Sequence, residues 1–262
     1  DVKPGEIVML DKDGIQSDET LCNKHSAKCI FEYIYFARPD SYFDGVSVYN
    51  SRIMAGKILA QMHPADADIV VGVPESGNVA AMGFALQSGI PYGTAFIKNS
   101  YVGRTFIKPK QSARESSVKI KLNVLKEVVR GKRVVMVDDS IVRGTQLRET
   151  TEFLYQSGAG EVHIRTACPP LLYGCKYLNF SRSSSEMELI TRRTIKEMTG
   201  NAANVNLSAY SNPDSPEYQE MVKRIGVQLN FTSLRFHRLD DMIESVGIDR
   251  CKLCTYCWDG RE

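Results

Sequence analysis

The chain carries almost no excess charge. Thirty-three lysines and arginines stand against 31 aspartates and glutamates, leaving +2 and a pI near 8.1. Binding to nucleic acid or to an anionic membrane draws on a field of one sign, so neither is an expected partner. No run of eighteen apolar residues occurs, which leaves no candidate for a membrane-spanning helix. The amino end, Asp-Val-Lys-Pro-Gly-Glu, lacks the layout of a signal peptide, and there is no internal repeat. These absences predict a cytoplasmic protein. Its composition, 43% hydrophobic and 24% charged over 262 residues, is that of one large globular domain or two small ones.

An even set of cysteines is also missing. The seven, at positions 22, 29, 168, 175, 251, 254 and 257, cannot all pair, and three crowd into Cys251-Lys-Leu-Cys254-Thr-Tyr-Cys257. In a cytoplasmic chain such crowding points to metal or redox chemistry rather than to a disulfide scaffold. Thiolates are soft ligands that suit iron-sulfur clusters or Zn²⁺, and a Cys-x-x-Cys pair can supply two of four from one turn.

What is present is an alternation of strand and helix. Residues 69–73 read as a strand, 77–87 as a helix stopped by Ser88-Gly89, 94–97 as a second strand, 134–137 as a third, 146–156 as its helix and 161–167 as a further strand. Such alternation predicts an α/β fold, a mainly parallel sheet with helices on both faces. Ahead of it, residues 51–62 have helical spacing and stop at His63-Pro64, while 6–10 followed by Asp11-Lys12-Asp13-Gly14 is a hairpin signal. The stretch 98–121 is polar, basic and serine-rich, the composition of a long loop over an active site that leads into a helix. After Pro169-Pro170 the pattern weakens. Ser185-Glu186-Met187-Glu188 predicts a capping box for a helix through Met198, the Asn-, Ser- and Pro-rich span 200–216 predicts an exposed insertion, and 239–245 a short helix.

The chemistry concentrates in positions 134–146, Val-Val-Met-Val-Asp-Asp-Ser-Ile-Val-Arg-Gly-Thr-Gln. Four apolar, largely β-branched residues have the composition of a buried parallel strand, and Asp138 and Asp139 end it. In open α/β sheets ligands bind beyond the carboxyl ends of strands, where the free N–H groups of a helix start attract an anion. The two carboxylates can accept hydrogen bonds from vicinal ribose hydroxyls or hold Mg²⁺, and the N–H groups from Ser140 to Thr145 can wrap a phosphate. A second strand-to-helix junction, Val73-Pro74-Glu75-Ser76-Gly77, falls on the same carboxyl edge, so one loop can hold a phosphate and the other a diphosphate. Lys98, Tyr101, Arg104 and Lys108 lie on the basic stretch, where cations can neutralise a departing diphosphate and a closing lid would exclude water.

The thirteen-residue string resembles the phosphoribosylpyrophosphate (PRPP) signature of type I phosphoribosyltransferases. The resemblance narrows with Tyr-Val-Gly-Arg-Thr-Phe-Ile at 101–107 and Ser-Val-Lys-Ile-Lys-Leu-Asn at 117–123, which look closely like the catalytic loop of the glutamine PRPP amidotransferases. Cys-Ile-Phe-Glu-Tyr-Ile-Tyr-Phe-Ala-Arg-Pro-Asp-Ser at 29–41 and the Pro-Glu-Ser-Gly turn at 74–77 stand in that family's order. The resemblance implies a type I phosphoribosyltransferase fold with a cysteine-rich C-terminal subdomain. It implies transfer of ammonia to the anomeric carbon of PRPP, giving 5-phosphoribosylamine and pyrophosphate in the first committed step of de novo purine synthesis. Lys98, Tyr101 and Arg104 would be catalytic. Glu75, Ser76, Gly77, Asp138, Asp139, Ser140, Ile141, Val142, Arg143, Gly144, Thr145 and Gln146 would bind PRPP, with Mg²⁺ at Asp138 and Asp139. It also implies a [4Fe-4S] cluster of the bacillar type on Cys29, Cys175, Cys254 and Cys257, purine nucleotide inhibitors, and a homodimer or tetramer. Sequence spacing alone leaves Zn²⁺ or unliganded core cysteines open, and leaves Cys251 as a substitute for Cys254.

The same resemblance divides the chain into 1–21, the linker and last strand of a glutaminase domain that is missing here, 22–180, the phosphoribosyltransferase core, and 181–262, a helical and metal-binding segment packed on that core. Ammonia is then expected as free ammonia, or from a glutaminase domain or separate chain. Gln146 stands where many relatives have Thr, which removes a hydroxyl contact to phosphate, and the 200–216 insertion has no counterpart. Two other readings keep the fold: a PRPP-sensing regulatory module, and a phosphoribosyltransferase for another acceptor such as a nucleobase. A sensor would need a nucleic-acid-binding element, and neither the charge balance nor any helix-turn-helix-like segment supplies one.

Overall fold

The computed structural model describes residues 2–22, 26–98, 122–178, 186–200 and 205–261. It opens with the expected hairpin, β1 (Ile7–Asp11) against β2 (Gly14–Asp18). A short strand β3 (Lys28–Cys29) runs into a π-helical turn, Glu32–Phe36, and a second small hairpin, β4 (Tyr42–Phe43) and β5 (Val46–Ser47), delivers the chain to helix α1 (Val48–Met62). This helix starts earlier than its apolar spacing indicates because Ser47 caps it, the hydroxyl accepting from Asn50 N at 3.2 Å.

The alternation that follows is β6 (Ile69–Gly72), α2 (Gly77–Ser88), β7 (Phe96–Lys98), β8 (Leu122–Val124), α3 (Lys126–Val129), β9 (Arg133–Asp138), α4 (Thr145–Gln156) and β10 (Glu161–Thr166). The later part carries α5 (Ile190–Thr199), α6 (Ser208–Ser211), α7 (Pro216–Gln228), β11 (Ser233–Phe236), α8 (Leu239–Val246), β12 (Leu253–Cys254) and α9 (Tyr256–Asp259). Four strands form the central sheet in the order β11-β10-β9-β6, every pair parallel. Strand β9 lies inside it, and Val134, Val135, Met136 and Val137 expose no surface, as a strand covered on both faces requires. The two-residue alternation sends Val134 and Met136 to one core, with Leu147, Leu154, Ile190 and Ile225, and Val135 and Val137 to the other, with Leu59, Ala80, Phe84 and Met242. Among the described residues no helix is long and apolar enough to cross a membrane.

Several expectations change. The strand expected at 94–97 becomes β7, which pairs antiparallel with β8 instead of entering the main sheet; just before it, residues 91–93 touch the sheet edge at Val70, whose N donates to the Pro91 carbonyl and whose carbonyl accepts from Gly93 N. With Ile97 and Lys98 exposed, β7 offers no apolar pair of faces to bury. The helix through Met198 begins at Ile190 after Leu189, without a side-chain cap, and Ser185 of the expected capping box lies outside the described residues. The 200–216 span is no exposed insertion where it is described: Leu207 and Tyr210 are buried in the core. It leads into α7, started by a Ser215 cap that accepts from Tyr218 N at 3.1 Å and by Pro216 in the first turn. Periodicity leaves β11 invisible, since Ser-Leu-Arg-Phe alternates only two apolar residues with polar ones. The span 181–262 therefore supplies the edge strand of the sheet as well as a cover for it.

Candidate active site

Strand β9 ends on Asp138, and both Asp138 and Asp139 are 7% exposed at the carboxyl edge of the sheet. Asp139 N donates to Asp138 Oδ1 at 2.9 Å, and the Asp139 carboxylate accepts from the hydroxyls of Ser140 and Ser76. Ser76 comes from the neighbouring junction between β6 and α2, so the two loops expected to share a ligand meet through Asp139. Gly77 permits the meeting. A Cβ there would stand 2.4 Å from the carbonyl oxygen of Val137, and no side chain fits between the start of α2 and the end of β9. The preceding peptide, Pro74–Glu75, is cis.

Burial pushes both carboxyls above the ordinary carboxylate range. At Asp138, which is well above it, the charge of Asp139 adds to burial; at Asp139 the hydroxyls of Ser140 and Ser76 and the charge of Arg52 work against it. A dry acidic pair of this kind gains by meeting a metal ion or a pair of hydroxyl donors.

The loop from Ser140 to Gly144 is fixed from behind. Ile141 is buried in the core, the carbonyl of Val142 accepts from Ile190 N at 2.9 Å, and that of Arg143 accepts from Arg193 Nη2 at 2.7 Å. The Arg143 side chain pairs with Glu188. Gly144 has φ 81°, and a Cβ on it would stand 2.7 Å from Ile190 Cδ1, so both conformation and space favour glycine. The carbonyls are thus drawn toward α5, and Thr145 and Gln146 sit exposed in the first turn of α4, where helix N–H groups have no intrahelical partner. Lys98 Nζ lies 3.0 Å from Glu75 Oε1, both side chains exposed, which brings the end of β7 to the Glu75–Gly77 turn. Tyr101 and Arg104 lie outside the described residues.

Two residues that feel the charge of the carboxylates were given no role by the sequence motifs, although Tyr35 lies within the 29–41 string. The Tyr35 phenol is pushed up by burial and then by the charges of Asp139 and Asp138. Arg52, on α1, is buried and feels the charge of Asp139. Its position was open to detection: Val48, Ser51, Arg52, Ala55 and Leu59 form the buried stripe of α1, and a cation in such a stripe needs a reason.

A second group gathers the cysteines. Pairing of β12 with β3 sets Cys254 opposite Cys29. Cys29 feels the charges of Cys254 and Cys175, and Cys257 those of Cys175, Cys29 and Cys254; burial pushes the Cys29 thiol up to about 11 and Cys257 further. Cys175 Sγ accepts from the N–H groups of Tyr177 at 3.4 Å and Leu178 at 3.2 Å, and Cys29 from that of Phe31. Cys251 is exposed and takes no part in these contacts. Among the described residues no group of three or more His, Cys, Asp or Glu side chains is placed to hold a metal ion. The group is fastened by Trp258, which stacks on Phe31 at 4.8 Å and donates to the Pro169 carbonyl at 3.0 Å.

A wholly parallel sheet with an acidic pair and a phosphate-sized loop at its carboxyl edge defines a type I phosphoribosyltransferase fold. The family described as "Phosphoribosyl transferase domain" matches residues 47–183, just over half of the chain, and the chain belongs to that family. Similarity to particular proteins runs further. The amidophosphoribosyltransferase of Mycobacterium tuberculosis is 41% identical over 262 residues, 100% of this chain and 45% of that protein, and the one from Methanothermobacter thermautotrophicus is 42% identical over 260 residues, 99% of this chain and 49% of that protein. Glutamine PRPP amidotransferase from B. subtilis, solved in complex with ADP and GMP, superposes with a TM-score of 0.77 at 38% identity, covering 99% of this chain and 52% of that one. A solved structure described as the allosteric regulatory enzyme of purine biosynthesis gives 0.75 at 36% identity, covering 99% and 51%. The chain spans about half the length of the curated relatives it matches.

Proposed function

We propose that this chain is the phosphoribosyl-transfer part of an amidophosphoribosyltransferase, adding ammonia to the anomeric carbon of PRPP to give 5-phosphoribosylamine and pyrophosphate, the first committed step of de novo purine synthesis. The observation that carries the reading is the Ser76–Asp139 hydrogen bond, which makes one pocket of two strand-to-helix junctions, each suited to one end of a phosphorylated, diphosphate-bearing ribose. End-to-end likeness to amidophosphoribosyltransferases supports the acceptor.

In this reading Asp138 and Asp139 orient the ribose hydroxyls and hold Mg²⁺, which would supply positive charge to the diphosphate. The N–H groups of Ser140, Ile141, Val142, Arg143, Gly144, Thr145 and Gln146 take the 5′-phosphate, and Glu75, Ser76 and Gly77 take the pyrophosphate. The bond from the anomeric carbon to pyrophosphate breaks as the lone pair of ammonia forms the new carbon–nitrogen bond. Lys98, already at the Glu75 turn, spreads the charge on the departing oxygens together with Arg104 and Tyr101. No residue has to become covalent, so positioning and charge stabilisation supply the rate.

Ammonia would come from solution, or from a glutaminase domain or chain. Purine nucleotides would inhibit, a reading supported by the ADP and GMP bound in the B. subtilis structure, and the working protein would be a cytoplasmic dimer or tetramer. Cys29, Cys175, Cys254 and Cys257 would hold a [4Fe-4S] cluster that ties the tail to the body. Backbone N–H groups donating to Cys29 and Cys175 suit thiolates.

The test is PRPP-dependent release of pyrophosphate with ammonium chloride as the nitrogen source, using the full-length protein. Asp138→Asn and Asp139→Asn are each expected to reduce phosphoribosylamine formation by about 10²-fold or more, the scale of losing one stabilising group at a reacting centre. Undiminished activity in both variants would refute the assignment.

A further inference from the structure

Arg52 belongs to none of the sequence motifs, yet it is a cation only 4% exposed that feels the charge of Asp139. Its Nε and Nη2 each donate at 2.8 Å to a backbone carbonyl, those of Tyr33 and Ala37. Tyr33 lies within the π-helical turn Glu32–Phe36 and Ala37 ends it, so the guanidinium clamps that turn at two points. A lysine could not do so, because its ammonium lacks the planar fork. Arg52 and Ser76 also line one cavity of about 10 Å³, with Tyr33, Ser51, Ala80 and Ala167 among the other walls, which is room for about one water. Ser76 donates to Asp139, and the charge of that carboxylate acts on Arg52. A guanidinium this deep is costly unless dipoles or an opposite charge compensate it, and here two carbonyls do so directly, with the charge of Asp139 adding from farther off.

We propose that Arg52 is a positioning residue for PRPP: across the small cavity it shares with Ser76, its charge steadies the Asp139 carboxylate that Ser76 bonds, and it links that carboxylate to the aromatic turn at 32–36. The inference rests on the functional reading above and adds a residue that acts through Asp139 without touching substrate. The turn it clamps follows directly from Cys29 and, through Phe31, from the Trp258 stack. Through that turn Arg52 connects the segment after Cys29 to the cavity it shares with Ser76.

A purely structural clamp and a positioning residue differ in what they move. Loss of a clamp lowers the melting temperature and the fraction of folded protein, and leaves the KM of the folded molecules unchanged. Loss of a positioning residue changes KM for PRPP itself. Arg52→Gln and Arg52→Lys are to be made in the full-length protein, with KM for PRPP, kcat and melting temperature measured in the ammonium-dependent assay. Arg52→Gln is expected to raise KM for PRPP about tenfold or more with a smaller change in kcat, and Arg52→Lys, which restores the charge but not the fork, to recover part of that loss. Should Arg52→Gln not fold, Arg52→Lys decides alone: a KM raised about threefold or more supports the role. A KM for PRPP left unchanged in the folded variants, whatever their melting temperature, overturns it. Absence of PRPP-dependent turnover in the unsubstituted protein overturns the functional reading and the inference with it, an outcome distinct from turnover that Arg52 substitution leaves untouched.

Discussion

The carboxylate pocket and the cysteine group are both polar centres of one chain, and they are assembled in opposite ways. The pocket comes from one contiguous stretch, Asp138 to Gln146, joined by Ser76 from the adjacent strand, and it stands on the buried end of β9. The cysteine group draws on positions 29, 175, 254 and 257, brought together by the two-residue pairing of β3 with β12 and by the Trp258 stack. The pocket therefore inherits the rigidity of the sheet. Short pieces that cannot stand alone must be fastened by their own contacts, and a bound cluster would be one more fastening.

The largest expected effect comes from removing that fastening. Trp258 is buried, stacked on Phe31 and hydrogen-bonded to Pro169, so Trp258→Ala opens a cavity and leaves the Pro169 carbonyl only the weak thiol donor of Cys168. A loss of about 3–5 kcal/mol in denaturant unfolding is expected. Because the damage falls on the tail, a residual folded fraction should lose the cysteine group before it loses PRPP binding by the sheet edge. Loss of both together at low denaturant would mean that the two centres share one cooperative unit and that the contrast drawn above is too strong.

The two centres also differ in how far sequence could reveal them. In residues 134–146 strand, acids and loop succeed one another within thirteen positions, so local order is already spatial order. The cysteines carried a count and two overlapping Cys-x-x-Cys pairs, 251/254 and 254/257, but the choice between Cys251 and Cys254 depends on which one pairs with Cys29, a property of β12 that no spacing contains. Arg52 was legible only as an anomaly in an apolar stripe, because its carbonyl partners lie at least fifteen residues away in the chain. Helix α7 and strand β11 were lost for a related reason: the edge strand needs an apolar residue only at every second position, and Arg235 and Ser233 fill the others. The short β7–β8 pair looked like a sheet strand because three residues cannot declare their partner.

A second prediction sets a buried polar group with partners against one without. Asp139 is held by two hydroxyls, whereas His237, fully buried after β11, has no hydrogen-bond partner on either ring nitrogen among the described residues. Burial, with His63 adding, lowers its pKa from 6.5 to about 3, and His63 is lowered by burial and by Arg165, Arg235 and Arg238 to about 4. Both folded values lie below the unfolded value, so the unfolded chain takes up protons that the folded chain refuses as pH falls below about 6.5. Stability should drop between pH 7 and pH 5, with His237 contributing about 2 kcal/mol of the loss. His237→Leu, close in volume and free of unpaired nitrogens, should be at least as stable as the parent at pH 7 and lose less on acidification. Identical pH curves for the two proteins would show that His237 is not buried neutral.

The smallest effect is expected at Cys251, and it sharpens the contrast most. Cys251 is exposed and outside the contacts that join the other four, while Cys254, three residues on, stands opposite Cys29 in the β3–β12 pair. Cys251→Ser should change unfolding stability by no more than about 0.5 kcal/mol, the range of an exposed substitution away from special features. Anaerobically purified Cys251→Ser protein should keep the broad visible absorption of an iron-sulfur cluster, and Cys254→Ser should lose it. Band retention in Cys254→Ser together with loss in Cys251→Ser would exchange the two ligands. It would also mean that β12 shifts when the cluster binds, making the cysteine group a site completed by its ligand while the carboxylate pocket is built beforehand by the sheet.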